Sequence, residues 1–236
     1  MSQNKTNFAV PLAFVGMMFF AIGFALGINS FLIPVLKGAL SLPSGVAYLL
    51  LAATFVPFLI FGYPASATIA KIGYKRTMAL SFLIFAVAFI LFVLSAKLEN
   101  FILFLIASFV SGAANAYLQA SVNPYITILG PIESAAKRMS IMGICNKLAW
   151  PVAPLFFALV VADQTNVQTS DLYLPFYIII GVFLLLGIIS LMAPLPEVKA
   201  AGEDESDTAN CPYAANKTSI WQFPHLVLGA LTLFIY

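Results

Sequence analysis

Charge is scarce in this chain: Asp, Glu, Lys and Arg make up 8% of its 236 residues, where a soluble domain carries about 25%. With 62% of residues hydrophobic as well, a water-solvated globular fold is excluded. Histidine occurs once and cysteine twice. His225 has no spaced carboxylate or cysteine partner, and Cys145 lies in an apolar run while Cys211 lies in a polar stretch. Neither a disulfide framework nor a metal centre is implied, and both thiols are read as free. Acidic groups are missing from the interior of every apolar run: Glu99, Glu133, Asp163, Asp171, Glu197, Glu203, Asp204, Glu205 and Asp207 fall in loops, linkers or run edges. A membrane-embedded transferase would need an acid, a base or a metal ligand near the interface; the chain is not read as an enzyme, and no cofactor is expected. The net charge of +2 gives no sign of a nucleic-acid partner, and none is expected.

What the chain has is long apolar runs, beginning near Phe8, Val46, Thr77, Phe101, Met139 and Leu172, with a seventh from Phe223 to Tyr236. About 20 residues of helix cross a hydrocarbon core of ~30 Å, and continuous runs favour helices over the alternating strands of a barrel. The first run, Phe8 to Leu36, lacks a small-residue cleavage site and reads as a retained anchor. The expected fold is therefore all-α and membrane-embedded: a six-helix transmembrane bundle over residues 1–195, a solvated cytoplasmic linker over 196–221, and the start of a seventh span over 222–236. The linker, which holds Glu203, Asp204, Glu205 and Asp207, is read as a plain mobile loop with no partner. This plan is one half of a transporter built from two six-helix halves, with spans one to three and four to six as 3+3 inverted repeats and the carboxy-terminal half missing. "GINSFLIP" places Asn29 and Ser30 ahead of Pro34, and "LQASVNP" places Gln119 ahead of Asn123 and Pro124; the match reads either as a repeat signal or as coincidence. An inside amino terminus puts Lys5, Lys71, Lys75, Arg76, Lys137, Arg138, Lys199 and Lys217 on the cytoplasmic side against Lys37 and Lys97 outside, as the positive-inside rule requires.

The fourth run carries Ser108, Ser111, Asn115, Gln119 and Asn123 at gaps of three and four, which confines them to ~120° of a helix. An unpaired polar group in lipid costs roughly 2–7 kcal/mol, so the stripe faces protein or a wet cavity. Gly112, Ala113, Ala114, Ala116 and Ala120 permit close approach by a neighbouring helix. Pro124 leaves the carbonyl of Ala120 without its helical donor. Amides and a freed carbonyl suit an uncharged, hydroxyl-rich ligand such as a sugar; the alternative is that Asn115, Gln119 and Asn123 bond only to other helices. The fifth run repeats the pattern with Ser140, Gly143, Asn146, Lys147 and Trp150. A lysine near a helix centre costs ~2.5–3.5 kcal/mol and should face a cavity, find a partner or snorkel. Trp150 can stack under a sugar ring and donate one N–H, or serve as packing or an interface anchor. Candidate sugar ligands are thus Gln119, Asn123, Asn115, Asn146, Lys147 and Trp150, with Asn29 added from the first span.

"SVNPYITILGPIESAAKRMSIMGICNK", Ser121 to Lys147, resembles the span-four-to-five signature of the fucose–galactose–glucose symporter family of the major facilitator superfamily. "GFALGINSFLIP", "IAKIGYKR" and "WQFPHLVLGALTLFIY" extend the likeness more thinly over the chain. The block from Asn123-Pro124-Tyr125 to Gly130-Pro131, with Glu133 and Arg138, is its specific part. The resemblance implies a monomeric secondary active transporter that imports a monosaccharide of the fucose, galactose or glucose type across a bacterial inner membrane by alternating access, coupled to H+ or Na+. Lys71, Gly73, Lys75 and Arg76 match the superfamily's basic loop motif, whose expected role is to hold an inner gate by charge contacts; a plain positive-inside loop is the alternative, and Ala70 stands where an aspartate is usual. Ser30 and Gln119 stand where fucose carriers have acidic residues, and Gln119 resembles the glucose/galactose branch, so proton coupling there is not implied. Coupling then resides in the absent half, uses another ion, or is absent. Drug efflux is the runner-up function and a membrane-embedded transferase the distant one.

Overall fold

The structure, a computed structural model, describes residues 9–161, 167–193 and 222–235, and among them every regular element is helical. The chain divides into two compact units, Met1–Val198 and Lys199–Tyr236. The second contains α7 (Pro224–Ile235), and the linker expected at 196–221 lies outside the described residues. The first unit runs α1 (Ala9–Ala39), the single turn α2 (Ser44–Ala47), α3 (Leu49–Lys97), α4 (Phe101–Ile128), α5 (Ala135–Val160) and α6 (Tyr173–Met192), with 3-10 turns at Ile132–Ser134 and Thr169–Leu172.

Five of these helices are long and apolar enough to cross a membrane, against six expected spans, and α3 accounts for the difference. Its 49 residues would extend ~73 Å if straight, over twice the ~30 Å of a hydrocarbon core. Gly73 breaks it, with φ 82° and ψ 169°, a region open essentially to glycine alone. Residues 49–72 and 74–97 form two helical arms of ~36 Å each, so spans two and three are separate helices that meet at Gly73 without an intervening loop. Helix α4 lies along both arms. Gly112 meets Thr54 on the first, the Phe104 ring lies 6.1 Å from Phe92 on the second, and Tyr125 faces Tyr74, beside the break, at 6.0 Å.

Where both sides of a helix are apolar, burial rather than polarity distinguishes the faces. On the second arm of α3, Phe82, Phe85, Phe89 and Phe92 are fully buried, whereas Leu83, Val87, Ile90 and Leu94 on its other side are exposed. The buried rings meet α6, with centroids 4.8 Å apart for Phe85 and Phe183 and 5.5 Å for Phe92 and Phe176. Asn100 starts α4 by accepting from the N–H of Ile102 at 2.9 Å and of Leu103 at 3.3 Å, two donors that the first helical turn leaves free.

Glycines set the remaining contacts. A Cβ on Gly112 would sit 2.1 Å from the Thr54 carbonyl oxygen, which is the close approach the small residues of α4 imply. Helices α1 and α5 run side by side: a Cβ on Gly23 would sit 2.0 Å from the carbonyl oxygen of Asn146, and one on Gly27 would sit 2.8 Å from that of Trp150. This contact positions the site.

Candidate functional site

The polar stripe of α4 divides into two environments. Ser108, Ser111 and Asn115 are fully buried, and Asn29 of α1 donates through Nδ2 to Ser111 Oγ at 3.3 Å and to the Ala25 carbonyl at 3.0 Å. One and two turns further along, Gln119 and Asn123 are half-buried and line a cavity of ≈170 Å³ with Phe19 and Ile22 of α1 and Gly143, Asn146 and Lys147 of α5. The stripe thus divides between a buried segment, Ser108, Ser111 and Asn115, and a cavity-lining one, Gln119 and Asn123; Asn115 makes no hydrogen bond to another helix among the described residues.

Three helices supply this cavity, and their backbones fix it. Because Gly23 admits the α5 backbone, Asn146 lies close enough to donate through Nδ2 to the Phe19 carbonyl at 3.1 Å. Its side chain is thereby oriented rather than free to rotate. Lys147 and Gly143 are exposed, so the cavity opens away from this six-helix body. At ≈170 Å³ it is smaller than the ~300–1,000 Å³ usual for a ligand site. Among the described residues no acidic side chain lines it. The Nζ of Lys147 instead sits 5.4 Å from the centroid of the Trp150 ring, a cation–π contact worth about 0.5–2 kcal/mol. Trp150 is part-buried, and its Nε1 is sealed without a hydrogen-bond partner among the described residues.

Of the expected sugar ligands, the structure brings Gln119, Asn123, Asn146 and Lys147 to one cavity, puts Trp150 beside Lys147, and puts Asn115 and Asn29 in the buried seam behind it. A larger cavity of ≈600 Å³ lies toward the other ends of α1 and α5, lined by Phe31, Pro34, Pro154, Phe157 and other apolar residues or glycine. It offers no side-chain amide or charge, so the smaller cavity is the better candidate for a polar ligand.

The expected gate residues lie around the break in α3 and the turn after α4. Gly73 is the break itself, and its carbonyl accepts from Thr77 Oγ1 at 2.8 Å. Lys71 and Arg76 are exposed and Lys75 is half-buried; Glu133 is exposed. Arg138 is different. It is buried, donating through Nε to the Ile126 carbonyl at 3.1 Å, through NH2 to that of Thr127 at 3.0 Å, and through NH1 to that of Pro131 at 2.8 Å and to Ser134 Oγ. Its positive charge thus closes the carbonyl end of α4, where the helix dipole is negative, and holds the turn in which Gly130 adopts φ 111°. Sequence reasoning missed this role, together with Phe19, Ile22 and the glycine contacts between α1 and α5. The signal for the last was present as Gly23 and Gly27 four residues apart.

The profile of the Major Facilitator Superfamily matches residues 14–236. A glucose/galactose transporter from Brucella abortus biovar 1 (strain 9-941) is 32% identical over 240 residues, covering 100% of this chain and 57% of that protein. An L-fucose-proton symporter from Escherichia coli (strain K12) is 22% identical over 253 residues, covering 99% and 57% respectively. The crystal structure of a major facilitator superfamily transporter, FucP, in the outward conformation superposes with a TM-score of 0.70 at 23% identity, over 88% of this chain and 55% of that one. The chain spans somewhat over half the length of the curated relatives it matches.

Proposed function

The chain belongs to the Major Facilitator Superfamily, and from that we propose that it forms one half of a carrier that imports a monosaccharide of the fucose, galactose or glucose type. The relatives' names, a glucose/galactose transporter and an L-fucose-proton symporter, support a sugar over the apolar compounds of drug efflux. The observation that carries the reading is the convergence of Gln119 and Asn123 from α4 with Asn146 and Lys147 from α5 in one cavity. Three amides and an amine offer donors and acceptors that match hydroxyl groups, and Trp150 offers an apolar face beside them. Phe19 and Ile22 supply the apolar remainder. A second half, rocking against this one across the exposed Lys147 and Gly143, completes the chamber and gives access from alternate sides. The basic residues Lys71, Lys75 and Arg76 belong to the cytoplasmic side in this reading, with the protein in a bacterial inner membrane, its amino terminus inside and the carrier monomeric. The coupling cation is H+ or Na+.

Uptake of labelled hexoses by cells expressing the complete gene tests this. Accumulation that falls at least ~10-fold in Gln119→Ala and Asn123→Ala, at equal membrane abundance, is the expected result. Absence of hexose uptake, or uptake indifferent to both substitutions, overturns it.

A further inference from the structure

The helical glycines of the first unit differ in what surrounds them. A Cβ on Gly23, Gly27 or Gly112 would meet the backbone of a neighbouring helix at 2.0–2.8 Å, and one on Gly16 or Gly187 would touch a side chain at 3.7 or 3.4 Å. A Cβ on Gly143 would meet nothing within 4 Å. Gly143 lies about two turns into α5 and is exposed. Glycine there weakens the helix relative to alanine, and no neighbour in this unit requires it. Open space alone does not set the position apart, since Gly62 and Gly181 have it too. Its surroundings do: of these three, Gly143 lines the cavity with Gln119, Asn123, Asn146 and Lys147.

Asn146 and Lys147 stand three and four residues beyond Gly143, on the same face of α5. The groups that can bond hydroxyls are thus one turn past a bare stretch of backbone in the same cavity. In a volume of ≈170 Å³ a side chain on that stretch would take room from whatever Asn146 and Lys147 hold. A helical Cβ leans toward the amino end, so a side chain at this position would stand over that end of the cavity and leave the bond from Asn146 to the Phe19 carbonyl in place. Size can therefore be changed here without changing the polar groups.

We propose that Gly143 is a specificity-determining position: its missing side chain gives a monosaccharide room to lie against the α5 backbone and sets the upper size of the ligand at that end of the cavity. The proposal deepens the carrier reading above and rests on it.

The test uses the complete transporter, purified for melting and expressed in cells for uptake of labelled glucose, galactose and fucose. Without sugar, Gly143→Ala is expected to melt no lower than the parent. Its KM for the transported hexose is expected to rise several-fold at equal membrane abundance, and that of Gly143→Val to rise further, while Gly181→Ala keeps the parent KM. Gly143→Cys, made with Cys145→Ser and Cys211→Ser, is expected to react with an aqueous thiol reagent and to be protected by the transported hexose. Hexose KM unchanged in Gly143→Ala and Gly143→Val overturns the proposal, as does labelling that saturating hexose leaves unchanged. A lower midpoint for Gly143→Ala also overturns it, because a helix of the second half, and not sugar, then fills the space. In each of these outcomes the parent still takes up hexose and the carrier reading stands; a parent that takes up none overturns both.

Discussion

Lys147 holds its ammonium 5.4 Å from the centre of the Trp150 ring, one turn along the same helix and at the mouth of the cavity that also contains Gln119, Asn123 and Asn146. The ring supplies about 0.5–2 kcal/mol against the ~2.5–3.5 kcal/mol that a lysine near the centre of a membrane helix costs. The contact relieves part of the penalty and leaves the amine able to turn toward a ligand.

Lys147→Met is therefore expected to insert at least as well as the parent while raising the hexose KM several-fold. Trp150→Phe, which keeps a ring beneath the amine, is expected to stay within ~3-fold of the parent, and Trp150→Leu to lose ~10-fold, or about 1.4 kcal/mol. Uptake kinetics normalised to membrane abundance decide it: equal KM for Trp150→Phe and Trp150→Leu rules out a role for the ring.

Gly23 admits no side chain. A Cβ there would lie 2.0 Å from the Asn146 carbonyl oxygen and 3.1 Å from the Ala149 Cβ, so Gly23→Ala must push α5 from α1. The expected loss is about 1–3 kcal/mol, read as a lower melting midpoint in detergent, with impaired uptake because Asn146 moves too. Gly181 of α6 has nothing within 4 Å of its hypothetical Cβ, and Gly181→Ala is expected to be neutral or to stabilise by up to ~1 kcal/mol. Equal behaviour of the two variants contradicts the α1–α5 contact.

Arg138→Gln removes a charge that closes α4 and strands the carbonyls of Ile126, Thr127 and Pro131. Destabilisation on the order of 3 kcal/mol is expected, with faster protease cleavage around Gly130. Arg138→Lys is expected to recover little, because a lysine cannot reproduce the planar fork that reaches several oxygens at once. If Glu133→Gln, on the exposed part of the same turn, costs as much, the arginine is not what holds it.

Hydrophobic runs and small-residue spacing made the helical crossings and the polar face of α4 legible from composition alone, since a membrane leaves helices few alternatives. Which part of that face is buried and which lines a cavity was not legible. Ser108 and Asn123 follow the same periodicity, and only the positions of α1 and α5 separate them. Arg138 read as one more basic residue on a positive loop, because its partners are backbone carbonyls that leave no mark in a sequence. Gly73 sat within a known basic motif, but nothing in the residue order indicated that it would be the whole of the connection between two spans.

That connection has a mechanical consequence. A loop of several residues would let two neighbouring crossings lean independently, whereas a one-residue joint has only two torsions, both set here in a region that other residues seldom enter. The angle between the two arms of α3 is therefore set at Gly73, with Lys71 on one side of it and Lys75 and Arg76 on the other. Any side chain at this joint would oppose the φ of 82°, so the course of two successive crossings depends on one residue's having no Cβ.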